Sequence, residues 1–147
     1  MAGRLTLWGA QQLLTGYFGQ TIAPPASFYV ALIVSVPPTP FMDGSDLDEP
    51  TIEDYARVAL PNDIVNWAND SEPQVVYNIL PLNFPTATVD WGILNYWAIC
   101  DAPVEGNNLI VGDLEQPIEI NAGDQAAFDE GDLSVSLGPF YLPEDVT

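Results

Sequence analysis

Carboxylates are the only abundant reactive groups in this sequence. Its 147 residues hold 21 Asp and Glu, two Arg (Arg4 and Arg57), one Cys (Cys100), and neither His nor Lys, for a net charge of −19. Without His there is no imidazole base and no usual zinc ligand, and without Lys no amine for a Schiff base. Ser-His-Asp and Cys-His arrangements fall for the same reason, and neither standard Gly-rich phosphate loop is present. What remains is acid chemistry. A glycosidase needs only one protonated and one ionised carboxyl. Among 21 carboxylates, chance pairing carries no information, and a tuned pocket is required as well. The reading is therefore no enzyme, no catalytic residue and no cofactor, with a carboxylate glycosidase as the remote alternative.

The densest acidic run, Asp43, Asp46, Asp48, Glu49, Glu53 and Asp54, puts six carboxylates into twelve residues. Hard cations take oxygen ligands from such loops, which makes Asp43, Asp46, Asp48 and Glu49 weak calcium candidates. The spacing is not that of an EF-hand: Gly44 stands in the wrong place and the closing Glu is missing. Asp129-Glu130-Gly131-Asp132 is a second run. The default expectation for both is solvated carboxylates and no metal. Trp91, Tyr96 and Trp97 could stack on sugars, but they lie in a stretch apolar on both faces, so core packing is expected. Cys100 ends that stretch and reads as a small buried apolar side chain without a disulfide partner.

The elements that position these residues are mostly strands. Residues 4–18 read as the only helix, with Leu7, Ala10, Leu14 and Phe18 on one face and Leu13 and Tyr17 beside them. Gly16 and Gly19 weaken its end. Ser27–Val36 (SFYVALIVSV) is β-branched and aromatic with apolar residues on both faces, which suits a central strand. Further strands are expected at 55–60, 64–67, 74–80, 91–100, 109–111, 116–120, 126–128 and 133–137, with turns at 69–71, 105–108, 123–124 and 130–132. Short strands with turns every 8–12 residues indicate an antiparallel sandwich rather than βαβ units. Fourteen prolines agree, since Pro sits at strand ends and edges. The expected fold is all-β: a β-sandwich, jelly-roll or immunoglobulin-like, over 27–138, with one N-terminal helix, in a single domain spanning 1–147. No targeting segment, internal repeat or bilayer-length apolar run is expected.

Charge bounds the partners. A nucleic-acid binder needs cations to displace counterions, so neither DNA nor anionic membrane is an expected partner. The helix carries more apolar surface than one stripe requires. Leu5, Leu7, Trp8, Leu14 and Phe18 are therefore the expected contacts with another subunit. Trp67 is a further candidate. Homo-oligomers are plausible if apolar patches face each other, and should weaken at low ionic strength.

Three stretches carry a family resemblance: Pro24-Pro25-Ala26-Ser27-Phe28-Tyr29-Val30-Ala31-Leu32, Tyr55-Ala56-Arg57-Val58-Ala59-Leu60-Pro61, and Phe84-Pro85-Thr86-Ala87-Thr88-Val89-Asp90-Trp91-Gly92. Ile99-Cys100-Asp101-Ala102, Asn121-Ala122-Gly123-Asp124 and Gly131-Asp132-Leu133 extend it. Over about residues 10–138 the chain resembles a family of small tailed-phage virion structural proteins. The resemblance implies a place in the virion among capsid or tail proteins, and brings no catalytic residues. An acidic module suits the exterior better than the DNA-filled interior. The first expectation is thus an exterior capsid decoration or cement protein. The alternative is a tail or tail-fibre component contacting the host surface, against which stands the lack of sequence repeats.

Overall fold

Trp97 organises the sheet. A computed structural model describes residues 1–70 and 75–136. In it the strands β1 (Ala2–Leu5), β7 (Gly92–Cys100) and β8 (Asn108–Ile120) place Trp97 beside Gly112, and Gly112 beside Gly3. The indole lies over both glycines, and a Cβ at either would overlap the ring. The ring itself is fully buried. This explains two residues poorly suited to strands: they leave room for the largest side chain of the core. It also explains β1. Ala2–Leu5 has no strand-like composition, and the expectation of helix from residue 4 is corrected here. Packing against Trp97 overrides local propensity.

The other strands are β2 (Ser27–Ile33), β3 (Val58–Pro61), β4 (Trp67–Asp70), β5 (Val75–Asn78), β6 (Leu82–Asn83), β9 (Ala127–Phe128) and β10 (Ser134–Ser136). Eight form one sheet in the order β3-β2-β7-β8-β1-β10-β5-β4, and β6 pairs β9 in a separate ribbon. All pairings are antiparallel except β1 with β10. The first and last strands of this order are joined by residues 62–66 alone. Phe28 of β2 meets Trp67 of β4 edge to face, with centroids 5.7 Å apart. The sheet therefore curls until its two ends touch. Leu82 and Phe128 of the ribbon join Val30, Leu32, Leu60, Trp91, Leu94 and Trp97 in one core. Among the described residues the fold is all-β with one N-terminal helix, as the turn spacing predicts. The β body starts at Ala2 rather than Ser27, and a single curled sheet supplies the facing layers.

β2 has two apolar faces because both are covered. Val30 and Leu32 enter the main core, while Ala31 and Ile33 pack with Ala98 under Leu47 of the acidic segment. β8 is one long strand where the sequence suggested two. Its Pro117 falls where the register to β7 jumps from Leu94↔Ile118 to Tyr96↔Asp113, so a bulge absorbs the missing N–H. Gln74, Leu137 and Ser71, at the limits of two expected strands and a turn, lie outside the described residues, as does residue 138 of the expected sandwich.

The helix α1 (Leu7–Tyr17) begins three residues later than expected because Thr6 caps it. The buried Thr6 Oγ1 accepts from Gly9 N (3.0 Å) and donates to Asn108 O (2.5 Å), while Thr6 N donates to Leu109 O (2.8 Å). One residue thus ends β1, starts α1 and fastens both to β8. The helix stops before Gly19, where Gln20 N bonds back to Thr15 O (3.1 Å).

Candidate assembly surface

The acidic segment is built as a cover, held by one arginine. The Arg57 side chain is 2% exposed, and all five of its N–H donors are used. Nε and Nη2 hold Glu49 in a two-point pair (2.9 and 2.8 Å), Nη1 reaches Ala102 O and Glu105 O (2.9 and 2.8 Å), and Nη2 also reaches Gly44 O (2.9 Å). Tyr55 donates to Glu49 (2.7 Å) and accepts from Leu32 N (3.0 Å). Burial, with Glu49 beside it, holds the Tyr55 hydroxyl well above its ordinary pKa. The Tyr-Ala-Arg stretch therefore clamps residues 44–49 onto β2 and onto the turn at 101–107.

The calcium candidates do not converge. Asp43 accepts from Ser45 N and Oγ (3.0 and 2.6 Å), Asp46 from Asp43 N (3.2 Å), and Asp48 from Ser35 N, Ser35 Oγ and Val36 N (2.9, 3.1 and 2.9 Å). Glu49 is spent on Arg57 and Tyr55. No group of three or more metal-ligating side chains forms among the described residues, and these four carboxylates are each engaged by separate donors. Short acidic side chains close turns by accepting from nearby backbone N–H groups. In the second run, Asp132 accepts from Asp129 N (2.8 Å), a turn of the same kind.

The Phe-Pro-Thr-Ala…Trp-Gly stretch is also a fold determinant. Asp54 accepts from Thr88 N, from Thr88 Oγ1 (2.9 Å) and from Trp91 Nε1 (3.0 Å). Phe84 N and Ala87 N donate to Ala126 O and Asp124 O, and Gly123 N to Ala87 O. Residues 84–91 are thereby zipped to the Asn-Ala-Gly-Asp turn. A depression of about 320 Å³ lies between Ile52–Asp54 and Thr88–Val89, beside an Asp54 already committed to its donors. Backbone and side-chain donors hold Asp43, Asp48, Asp54 and Asp63 below the usual carboxylate range. That is opposite to what a general acid requires. Trp91 and Trp97 are buried in the core and Cys100 is buried, its thiol pushed up to about 12 by burial.

The feature left open is α1. It meets the body through its smallest residue: Gly9 is its one buried residue, and a Cβ there would sit 2.5 Å from Leu109 O. The stripe of large residues faces outward instead. Leu7, Leu13, Leu14, Tyr17 and Phe18 are all more than half exposed, Tyr17 at 85% and Phe18 at 75%, with the last two rings in contact at 5.5 Å. At 3.6 residues per turn these five occupy less than half of the helix circumference. Of the expected contact residues, Leu7, Leu14 and Phe18 lie on this face and Trp8 is half-buried. Leu5 lies on β1 and packs against the core. Leu13 and Tyr17 complete the face. Their i, i+4 spacing beside Leu14 and Phe18 was the signal for them.

Charge singles out the same region. None of the 21 carboxylates precedes Asp43, and Arg4 is the only ionisable side chain of Asp, Glu, Lys or Arg type before it. α1 carries no acid in its first turn and no base in its last. An acidic body thus presents one uncharged, apolar helix.

The site is thus a curled β body whose polar groups serve its own turns, with an apolar helix outside. Residues 5–136 match the family described as Podophage GP4 fiber I protein gp80, and the chain belongs to this family. It is a structural protein of a tailed-phage virion, of fibre type. No curated protein matches the chain. Fibre thus takes precedence over capsid decoration. The lack of sequence repeats argues only against a shaft, since a fibre can also contain globular pieces.

Proposed function

We propose that this protein is a non-catalytic globular building block of the phage fibre, joined to neighbouring virion proteins through the α1 face. The observation that carries the reading is that face: large apolar side chains on a helix without charged residues, with little cover from the described residues. Monomeric proteins rarely leave such a patch bare. An 11-residue helix with two internal glycines is also too short to be stable unaided, so further packing on it is favourable. The acidic remainder keeps particles apart in solution and sits on the outer side. Glycan stacking is not part of the proposal, because Trp91 and Trp97 are core residues.

The test is particle composition. In phage carrying Leu14→Ser with Phe18→Ser, the purified protein should keep its melting temperature. Its amount per particle should fall roughly tenfold or more, since central apolar contacts each contribute about 1–2 kcal/mol or more. Gold labelling of wild-type particles should decorate fibres. Undiminished incorporation of the variant, or label confined to the capsid shell, would remove the proposal.

A further inference from the structure

We propose that the arm formed by β1 and α1, residues 1–17, is exchanged between copies of this chain, each arm filling the slot between β8 and β10 of its neighbour. The exchange goes beyond the α1 face. It is a second joint, between copies, and does not depend on what covers the helix.

The slot is built for one sequence. β1 lies between β8, antiparallel, and β10, parallel, so its withdrawal leaves backbone groups of Ile110–Gly112 and Ser134–Val135 unpaired in mid-sheet. A strand that fills the gap must carry glycine opposite Trp97, because a Cβ on Gly3 would overlap the indole. Three residues later it needs a hydroxyl that accepts from Gly9 N (3.0 Å) and donates to Asn108 O (2.5 Å). Ala2–Thr6 meets both demands. The same residues of a second copy meet them equally, and an unrelated strand does not.

The arm is separable from the body that it completes. Its bonds go to distant parts of the chain, Thr6 reaching Asn108 across 102 positions. Its connection to β2, residues 18–26, is exposed except for Ile22 and Pro25. Among the described residues, that connection is bonded to the body only at Pro25 O and Ala26 O, both by Asn62 (3.0 Å each). Pro24-Pro25 favours extended chain, and nine extended residues reach about 30 Å, far enough to deliver the arm to an adjacent body. α1 adds little to hold the arm at home, since Gly9 is its one buried residue. The docked contacts are identical in either arrangement, so the choice rests on the tether against the local concentration of neighbours. Charge favours the exchange. The arm carries Arg4 and no carboxylate, and Arg4 lines a depression with Asp113 of β8. Each arm thus brings a cation onto a body of net negative charge.

Cross-linking between full-length chains decides it. Ala2 and Ser134 are register partners on adjacent strands, a separation that a disulfide spans. Ala2→Cys and Ser134→Cys chains are refolded together at about 0.2 mM, where exchange competes with closure at home, then mildly oxidised and digested with pepsin. Mass spectrometry should find position 2 of one copy linked to position 134 of another, with Cys100 silent because it is buried. Adding Gly3→Val to the Ala2→Cys chain should lower that yield about tenfold or more, the cost of overfilling a packed site. Leu14→Ser/Phe18→Ser in both chains should leave the yield unchanged, which separates the exchange from the α1-face reading. Loss of the link in that variant overturns the proposal. So does a mixture without the link when the double variant Ala2→Cys/Ser134→Cys links within one chain, because each arm then stays at home. A link between copies that Gly3→Val leaves undiminished also overturns it, since the arms would be meeting outside the slot. Failure of the double variant to link at all would remove the slot itself.

Discussion

Arg57→Met is expected to lower stability by about 3–5 kcal/mol, the cost of stranding one partner of a buried ion pair. The substitution keeps an unbranched apolar stem and removes all five donors. It leaves Glu49 facing Tyr55 without a counter-charge and three carbonyls, of Gly44, Ala102 and Glu105, without a donor. At this chain length the loss corresponds to a fall in melting temperature of roughly 10 °C. Damage should spread along the acidic cover. The Val34 N–H, bonded to Asp48 O at 2.8 Å, should exchange faster with solvent. Arg57→Lys should recover little, because an ammonium cannot fork onto Glu49 and reach three carbonyls at once. Glu49→Gln on the Arg57→Met background should regain part of the loss by removing the stranded charge. Chemical denaturation of the four proteins checks these expectations. Equal stabilities would mean that the clamp holds nothing.

Asn78→Ala is expected to cost about 3–5 kcal/mol, at 1–3 kcal/mol for each buried group left unpaired. Asn78 is fully buried on β5. Its Nδ2 donates to Leu80 O and Asp129 O (2.9 and 3.0 Å) and its Oδ1 accepts from Leu133 N (2.9 Å). Gly131 N also donates to the Asn78 backbone O (2.8 Å). One amide thus ties β5 to the 129–133 turn that delivers β10 to the sheet. Asn78→Asp tests the polarity. The acid fits, but its ionised form would set negative oxygen against two carbonyls, raising its folded-state pKa. A raised pKa means stability that is greatest at low pH and lost as pH rises. The variant should therefore regain up to about 1.4 kcal/mol per unit on lowering pH from 7 toward 5. A pH-independent deficit would show that the amide donor is not what matters.

The sequence shows the β class through its turn spacing, and the two-faced character of β2 through Val30, Ala31, Leu32 and Ile33. It does not show β1, because Ala2–Leu5 becomes a strand only once Trp97 lies over Gly3. It hides the continuity of β8 because Pro117 looks like an end and is a bulge. The acidic cover resembles a cation site as long as carboxylates are counted without their donors. The signal was Arg57: in a chain with two guanidinium groups, one so near a carboxylate run was bound to be paired. On α1, periodicity shows a stripe and not its direction. The packing of Gly9 on Leu109 turns the stripe outward, and no local rule contains that contact.

The proposed assembly surface of this fibre protein is the α1 face, covered in the particle. Hydroxyl-radical footprinting measures it directly, on the free protein at low ionic strength and on intact particles. Leu13, Leu14, Tyr17 and Phe18 should be oxidised readily in the free protein and strongly protected in the particle. Equal oxidation of these four side chains in both samples would contradict the account.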